Sequence, residues 1–222
     1  MTARLVLATR NRHKVEELRR ILGEAALDVE LVGLDEPSLP PSPEVAETEP
    51  TFAGNALLKA RAVAAATGLP AVADDSGLCV DALNGMPGVL SARWSGRHGD
   101  DRANLQLVLA QLAEVPDERL DAAFVSAAVA VWPPRAREPA RPGAELIAEG
   151  RWPGRIVRKP RGSNGFGYDP IFQPAGETRT SAELSDAEKD ADSHRGRALR
   201  ALVPLLAERL AQPTRGTADD AD

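Results

Sequence analysis

An apolar run from Arg4 to Thr9 (RLVLAT), a helical pattern, and a second short run from Asp28 to Leu34 open the chain. This order restricts the fold more than any other feature. Two strands joined by a helix read as a β-α-β unit, because parallel strands need a long crossover between them. Within the crossover Val15, Leu18 and Leu22 share one helical face, with Asn11 placed to cap it and Gly23 to stop it. Further on, Ala122 to Trp132 and Glu145 to Trp152 are strands near enough in sequence to pair as a hairpin, so the expected sheet is mixed.

The segments between these strands alternate with them. Pro37 to Pro50 is a Pro-rich loop carrying Glu44, Glu47 and Glu49. Thr51 to Thr67 is a helix with Phe52, Ala56, Ala60 and Val63 as its apolar face, Thr51 as cap, and Gly68 with Pro70 ending it. Leu69 to Leu83 reads as strand, turn and strand, followed by a Gly/Pro loop and a helix from Asp101 to Leu112. Pro133 to Gly143 is a Pro/Arg-rich insert, expected to be mobile, and Gly162 to Gly167 is a glycine-rich loop. A Ser185-x-x-Glu188 capping box opens a last helix that reaches about Leu210, with a kink or split expected at Pro204. No linker separates independent domains, so residues 1–211 are expected to form one domain and the acidic residues 212–222 a disordered tail.

A hydrophobic content of 43% supports a substantial core. The single cysteine, Cys79, excludes an internal disulfide and a thiolate metal cluster, and reads as a small core residue. No run approaches membrane-spanning length and no signal-peptide pattern opens the chain, so the expectation is a soluble cytoplasmic protein. A net charge of −6 argues against a nucleic-acid-binding surface. The basic residues nevertheless cluster around Arg10 to Lys14, Arg151 to Arg161 and Lys189 to Arg200, a pattern that suits a compact anion better than a polyanion.

The chemistry points to the ends of these elements. Asp74 and Asp75 close the run Leu69 to Ala73 and precede Ser76 and Gly77, where a carboxylate pair at a strand end suits a divalent cation and water; a plain turn is the competing reading. The first helix opens with Arg12, His13 and Lys14 against its own dipole, so Thr9-x-Asn11-x-x-Lys14 reads as an anion site. It lacks the Walker pattern, and three solvated charges on a frayed first turn are the competing account. In the loop Gly162 to Pro170, Phe166 and Tyr168 offer faces for stacking on a base and Asp169 an acceptor for its edge. Lys189, Ser193, His194 and Arg195 on the last helix suit a base carbonyl and a phosphate, and Lys59 is a further phosphate contact. For each of these a solvated basic face is the alternative. Together they make a kit for a nucleoside triphosphate with Mg²⁺.

The blocks LATRNRHK, ETEPTFAGNALLKA, ADDSGLCVDALNGMPGVLSARW, GFGYDPIF and AELSDAEKDADSHRGRAL, in this order, resemble the Ham1-type inosine triphosphate pyrophosphatases. The likeness spans about Arg4 to Leu210. It implies an α/β fold with a long mixed central sheet flanked by helices, two lobes with a nucleotide cleft between them, and a homodimer. The implied activity is Mg²⁺-dependent hydrolysis of ITP, dITP and XTP, non-canonical purine nucleoside triphosphates, to the monophosphate and pyrophosphate. The resemblance places the triphosphate loop on Thr9, Arg10, Asn11, Arg12, His13 and Lys14, metal ligands on Glu47 and Asp75, and catalysis on Asp75. It adds Ser76 as a substrate contact, Phe166, Gly167, Tyr168 and Asp169 as the base loop, and Lys189, His194 and Arg195 as later contacts. The chain departs from the family in having Arg10 where Gly is frequent and Gly54 where an acidic residue is common. Rival readings are a related pyrophosphatase acting on other nucleoside triphosphates, a nucleotide sensor without activity, and a nucleic-acid-binding module.

Overall fold

The computed structural model describes residues 3–10, 12–24, 29–133 and 143–211, with backbone only at residues 12, 13, 17 and 18. The expected cap at Asn11, the side chain of Leu18, the strand start at Asp28, most of the Pro133 to Gly143 insert and the tail lie outside what is described. Among the described residues six strands form one mixed sheet in the order β2-β1-β3-β4-β5-β6. The strands are β1 (Ala3–Leu7), β2 (Val29–Gly33), β3 (Ala71–Val80), β4 (Asp121–Val131), β5 (Glu145–Ile156) and β6 (Phe172–Pro174). The helices are α1 (Arg12–Glu24), α2 (Phe52–Thr67), α3 (Asp101–Gln111), α4 (Asp186–Asp192) and α5 (His194–Ala211).

The opening unit is as its sequence requires, with β1 and β2 parallel from Ala3↔Val29 to Leu7↔Gly33. β4 and β5 form the expected antiparallel hairpin, from Asp121↔Arg155 to Val131↔Glu145. Helix α2 starts where Thr51 Oγ1 accepts the Gly54 N–H at 3.0 Å and stops at Gly68, which takes the left-handed φ of 68° that a β-carbon disfavours.

Two expectations need correction. The segment Asp74 to Gly77 is not a turn between two strands. It lies inside β3, which pairs with β4 without interruption from Ala71↔Val131 to Val80↔Ala122. Turn-forming residues are carried through because the opposing strand presents only Ala128, Ala127, Ser126 and Val125, and because pairing with β4 satisfies the backbone groups along that edge, which a turn would expose. Gly77 serves close approach instead: a β-carbon there would stand 2.4 Å from the Gly88 carbonyl oxygen.

The last helix splits at Ser193 (φ −62°, ψ 158°), while Pro204 sits inside an uninterrupted α5. A helix-interior proline costs about 3 kcal/mol. Leu199, Leu202 and Leu206 are all fully buried on the same helix, and each contributes roughly 1.5–3 kcal/mol, enough to offset it.

Packing divides along the sheet. On one face α1 and α5 cover Leu5, Leu7, Val72, Ala128, Ala130 and Ala148. Farther along that face a second core joins Leu78, Val80, Phe124 and Trp152 to α3 and to Ile171 and Phe172. The positions between them are Asp74 and Ser76 on β3, Ser126 on β4 and Gly150 on β5. A polar band therefore interrupts the apolar face. On the opposite face α2 packs Ala56, Ala60 and Val63 against Ala71, Ala73, Val129 and Val131.

Candidate active site

β1 pairs with β3 only at Val6↔Ala71 and Leu7↔Val72, so β3 continues past the end of its parallel neighbour. Asp74 and Asp75 occupy the next turn of the pleat beyond that end. Successive strand residues point to opposite faces, so the two adjacent carboxylates do not form a pair. Asp74 faces α1 and α5; Asp75 faces α2. Where β1 is missing, both faces open into one cleft of about 840 Å³, lined by Thr9, Arg10, Lys14, Glu47, Lys59, Asp74, Asp75 and Ser76 at one end and by Phe166, Gly167, Asp169 and His194 at the other. That volume lies within the usual range for a small-molecule site.

On the first face, Asp74 Oδ2 accepts Lys14 Nζ at 2.9 Å and Arg195 Nε at 3.0 Å. Arg195 also donates to Ser76 Oγ at 3.2 Å. The Asp74 side chain is fully buried, and its other oxygen, Oδ1, has no partner among the described residues. Burial pushes the Asp74 carboxyl up, but Lys14, Arg195 and Lys59 together outweigh it and hold the group well below the usual carboxylate range. Burial likewise lowers the Lys14 ammonium, with Asp74 opposing and Arg195 and Lys59 reinforcing the fall.

On the second face, Lys59 Nζ bridges Asp75 Oδ1 at 3.0 Å and Glu47 Oε1 at 3.2 Å. Sharing one ammonium brings the two carboxylates into reach of a single ion. Asp75 Oδ2 accepts Asn55 Nδ2 at 3.4 Å, and Glu47 Oε2 accepts Arg93 at 2.8 Å. Burial, with Glu47 adding like charge, raises the Asp75 carboxyl against the pull of Lys59. Burial also pushes Glu47 up, but Lys59 and Arg93 win and leave it lowered. Lys59 itself is raised: burial opposes this, and Asp75, Asp74 and Glu47 overcome it. The donor set fits a hard divalent cation, since two carboxylates hold a positive charge between them and Mg²⁺ takes only one or two from a protein. Among the described residues no group of three or more His, Cys, Asp or Glu side chains forms a closed metal cage.

The base-side loop is organised differently from what its residue types suggest. Phe166 is 45% exposed and offers its ring to the cleft. Tyr168 also borders the cleft, but its ring is packed into the second core and its hydroxyl donates to the Ser91 carbonyl at 2.8 Å. Asp169 is also committed, with Oδ2 accepting Lys189 Nζ at 2.7 Å and the Phe166 N–H at 3.0 Å, and Oδ1 accepting Ser181 Oγ at 2.7 Å. It braces the loop and holds Lys189 at the cleft wall. The Gly167 N–H donates to Asp101 at 2.9 Å. His194 stacks on Phe124 with ring centroids 4.8 Å apart, and its buried Nδ1 has no partner among the described residues. Burial, then Arg195, pushes this imidazole well below its ordinary value, so it is neutral at pH 7.

Of the first loop, Thr9 and Arg10 line the cleft and Arg10 donates to the Ser42 carbonyl at 2.8 Å. Asn11 and the side chains of Arg12 and His13 lie outside what is described. Cations and carboxylates do not occupy separate walls, as a simple anion grip would have them; they are interleaved, with Lys14, Lys59, Lys189 and Arg195 each already paired with a carboxylate. Asn55 and Arg93 carry two of these contacts and were not singled out by sequence. Asn55 stands one helical turn before Lys59 on the same face of α2, which is a usable signal. Nothing local to Arg93 points to Glu47, 46 residues away.

The sequence profile of the Ham1 family matches residues 5–205. A Nocardia farcinica protein named dITP/XTP pyrophosphatase is 60% identical over 206 residues, covering 92% of this chain and 95% of its own. One of the same name from Streptomyces coelicolor is 58% identical over 207 residues, 93% of this chain and 98% of its own. The crystal structure of the Mycobacterium abscessus nucleoside-triphosphatase / dITP/XTP pyrophosphatase superposes with a TM-score of 0.73 at 57% identity, covering 91% of this chain and 99% of that one.

Proposed function

Since the chain belongs to the Ham1 family, we propose that it hydrolyses non-canonical purine nucleoside triphosphates (dITP, ITP and XTP) to the monophosphate and pyrophosphate. Within the molecule, the observation that carries this reading is the bridge from Glu47 through Lys59 to Asp75 on the cleft floor. Glu47 and Asp75 would hold Mg²⁺, whose chemistry is to offset the charge developing on the pyrophosphate leaving group. Asp75 is the general base: its place on the cleft floor beside Glu47 suits it to orient and deprotonate the attacking water. Lys14 and Lys59 exchange carboxylate partners for phosphate oxygens as the substrate enters, aided by Thr9, Arg10 and the first turn of α1. Attack then falls at the α–β linkage.

At the other end Phe166 stacks on the base, while Lys189, His194 and Arg195 face its polar edge. A site whose donors meet a 6-oxo group leaves them unpaired against a 6-amino group, and such polar mismatch discriminates strongly. The acidic net charge of −6 fits a free nucleotide rather than a nucleic acid as partner. No described helix is long and apolar enough to cross a membrane. A cytoplasmic homodimer built from one domain over residues 1–211 completes the proposal. Incubation with dITP and Mg²⁺ tests it: pyrophosphate and dIMP are expected, with dTTP and ATP turned over poorly. Release of single phosphates, or faster cleavage of dTTP or ATP, would replace it with one of the rival activities.

A further inference from the structure

Glu47 belongs to a stretch that lacks regular structure, and among the described residues no backbone–backbone hydrogen bond involves residues 40–50. Side chains alone therefore place its carboxylate. Asn55 accepts the Glu49 N–H at 2.9 Å, Arg10 reaches Ser42, and Lys59 takes Glu47 Oε1. Arg93 does more than any of these. One guanidinium nitrogen donates to Glu47 Oε2 at 2.8 Å and another to the Glu47 main-chain carbonyl at 3.1 Å. Gripping side chain and backbone of one residue at once fixes its rotamer as well as its position.

The arm that presents Arg93 is itself anchored. It ends a 3-10 helix, Gly88–Arg93. In that helix Ser91 Oγ donates to the Gly88 carbonyl at 2.6 Å and accepts the Leu78 N–H of β3 at 2.9 Å. The Ser91 carbonyl accepts Tyr168, and the Ala92 carbonyl accepts Gly99 N at 2.8 Å. Ser91 and Ala92 line the cleft, whereas Arg93 points away from it to the loop. Arg93 thus stands on the same rigid piece of chain that β3 and the base loop share.

Resting on the reading of Glu47 as a metal ligand, we infer that Arg93 is a positioning residue, which holds Glu47 so that Oε1 is turned to Asp75. Lys59 cannot serve this purpose. Its ammonium lies between Glu47 and Asp75 and is repelled by any cation they hold, while Arg93 acts on the far oxygen and the backbone and keeps its contacts. The Arg93–Glu47 pair is only part-buried, at 30% and 22% side-chain exposure, so the consequence is expected in metal affinity more than in stability.

Calorimetric titration of Mn²⁺, a probe with the same preference for oxygen ligands, into the nucleotide-free full chain provides the test. Arg93→Gln is expected to weaken Mn²⁺ binding by about 10-fold or more, as loss of an orienting partner does. The KM for dITP at saturating Mg²⁺ stays within about a factor of two. Arg93→Lys, a point charge without the fork, falls between; if Arg93→Gln does not fold, this variant decides with the same readout. Unchanged Mn²⁺ affinity in a folded variant overturns the assignment. So does a raised KM with unchanged metal affinity, which would put Arg93 on the phosphates. Failure of the wild type to release pyrophosphate from dITP would sink the proposed activity alone, because the titration does not depend on turnover.

Discussion

Asp74 and Asp75 are neighbours in sequence with opposite duties, and their environments separate them. Under the proposed mechanism Asp75 is the reacting carboxylate, and Asp75→Asn should lower the turnover of dITP on the order of 10²–10⁴-fold while leaving the fold intact. A circular dichroism melt alongside a pyrophosphate assay distinguishes the two effects. Asp74 is structural charge compensation. Asp74→Asn leaves Lys14 and Arg195, whose side chains are 16% and 6% exposed, with an uncompensated charge. The expected loss is about 3–5 kcal/mol, read from urea unfolding. Because the folded-state Asp74 carboxyl lies below its ordinary 3.8, its stabilisation is complete above that pH and is lost as pH falls below it. The difference between wild type and variant should therefore shrink in acid; a constant difference from pH 7 to pH 3 would count against the assignment. His194 works in the other range. Its folded-state imidazole is lowered from 6.5, so the unfolded chain binds the proton more readily and stability falls as pH drops below 6.5. His194→Gln should flatten that part of the urea-midpoint profile, and an unaltered slope between pH 7.5 and 5.5 would contradict the burial argument. Residue types were readable from sequence at this scale, but partners were not. Tyr168 has the look of a stacking platform and spends its ring on the core, because what a side chain touches depends on segments remote in the chain.

At the scale of elements, local signals were legible wherever a cap or a period carried them. Thr51 and Gly68 bound α2, and the Ser185–Glu188 box opens α4 with Ser185 N to Glu188 at 2.8 Å. Signals failed where packing overrode propensity. The Asp-Asp-Ser-Gly run stays in β3, and α5 passes through Pro204. Close approach explains two glycines. Gly77→Ala drives a methyl into the Gly88 carbonyl, at 2.4 Å from the ideal position, and should cost about 1–3 kcal/mol, seen as a lower melting temperature. An unchanged melt would show that the 3-10 helix can retreat. Gly54 lies under Glu49, whose Cβ is 2.6 Å from where a side chain at 54 would begin. The absence of a side chain at this position thus goes with a loop packed directly on α2.

For the whole molecule, β3, β4 and β5 run through both apolar cores and through the polar band between them. The two ends cannot melt separately without tearing the same strands, so a single thermal transition is expected. Saturating dITP analogue with Mg²⁺, at about 100 times its Kd, should raise stability by about 2.7 kcal/mol. Two resolved transitions in calorimetry would break the argument from shared strands. The sequence by itself determined the α/β class, the mixed sheet, the ends of α2 and the chemical types gathered for a triphosphate, because periodicity, caps and residue chemistry act over a few neighbours. Only the tertiary structure decided that β3 outruns β1, that Asp74 and Asp75 serve opposite faces of one cleft, and that Arg93 meets Glu47. Strand register and loop placement are set by the summed packing of distant segments, and no local stretch of chain contains that sum.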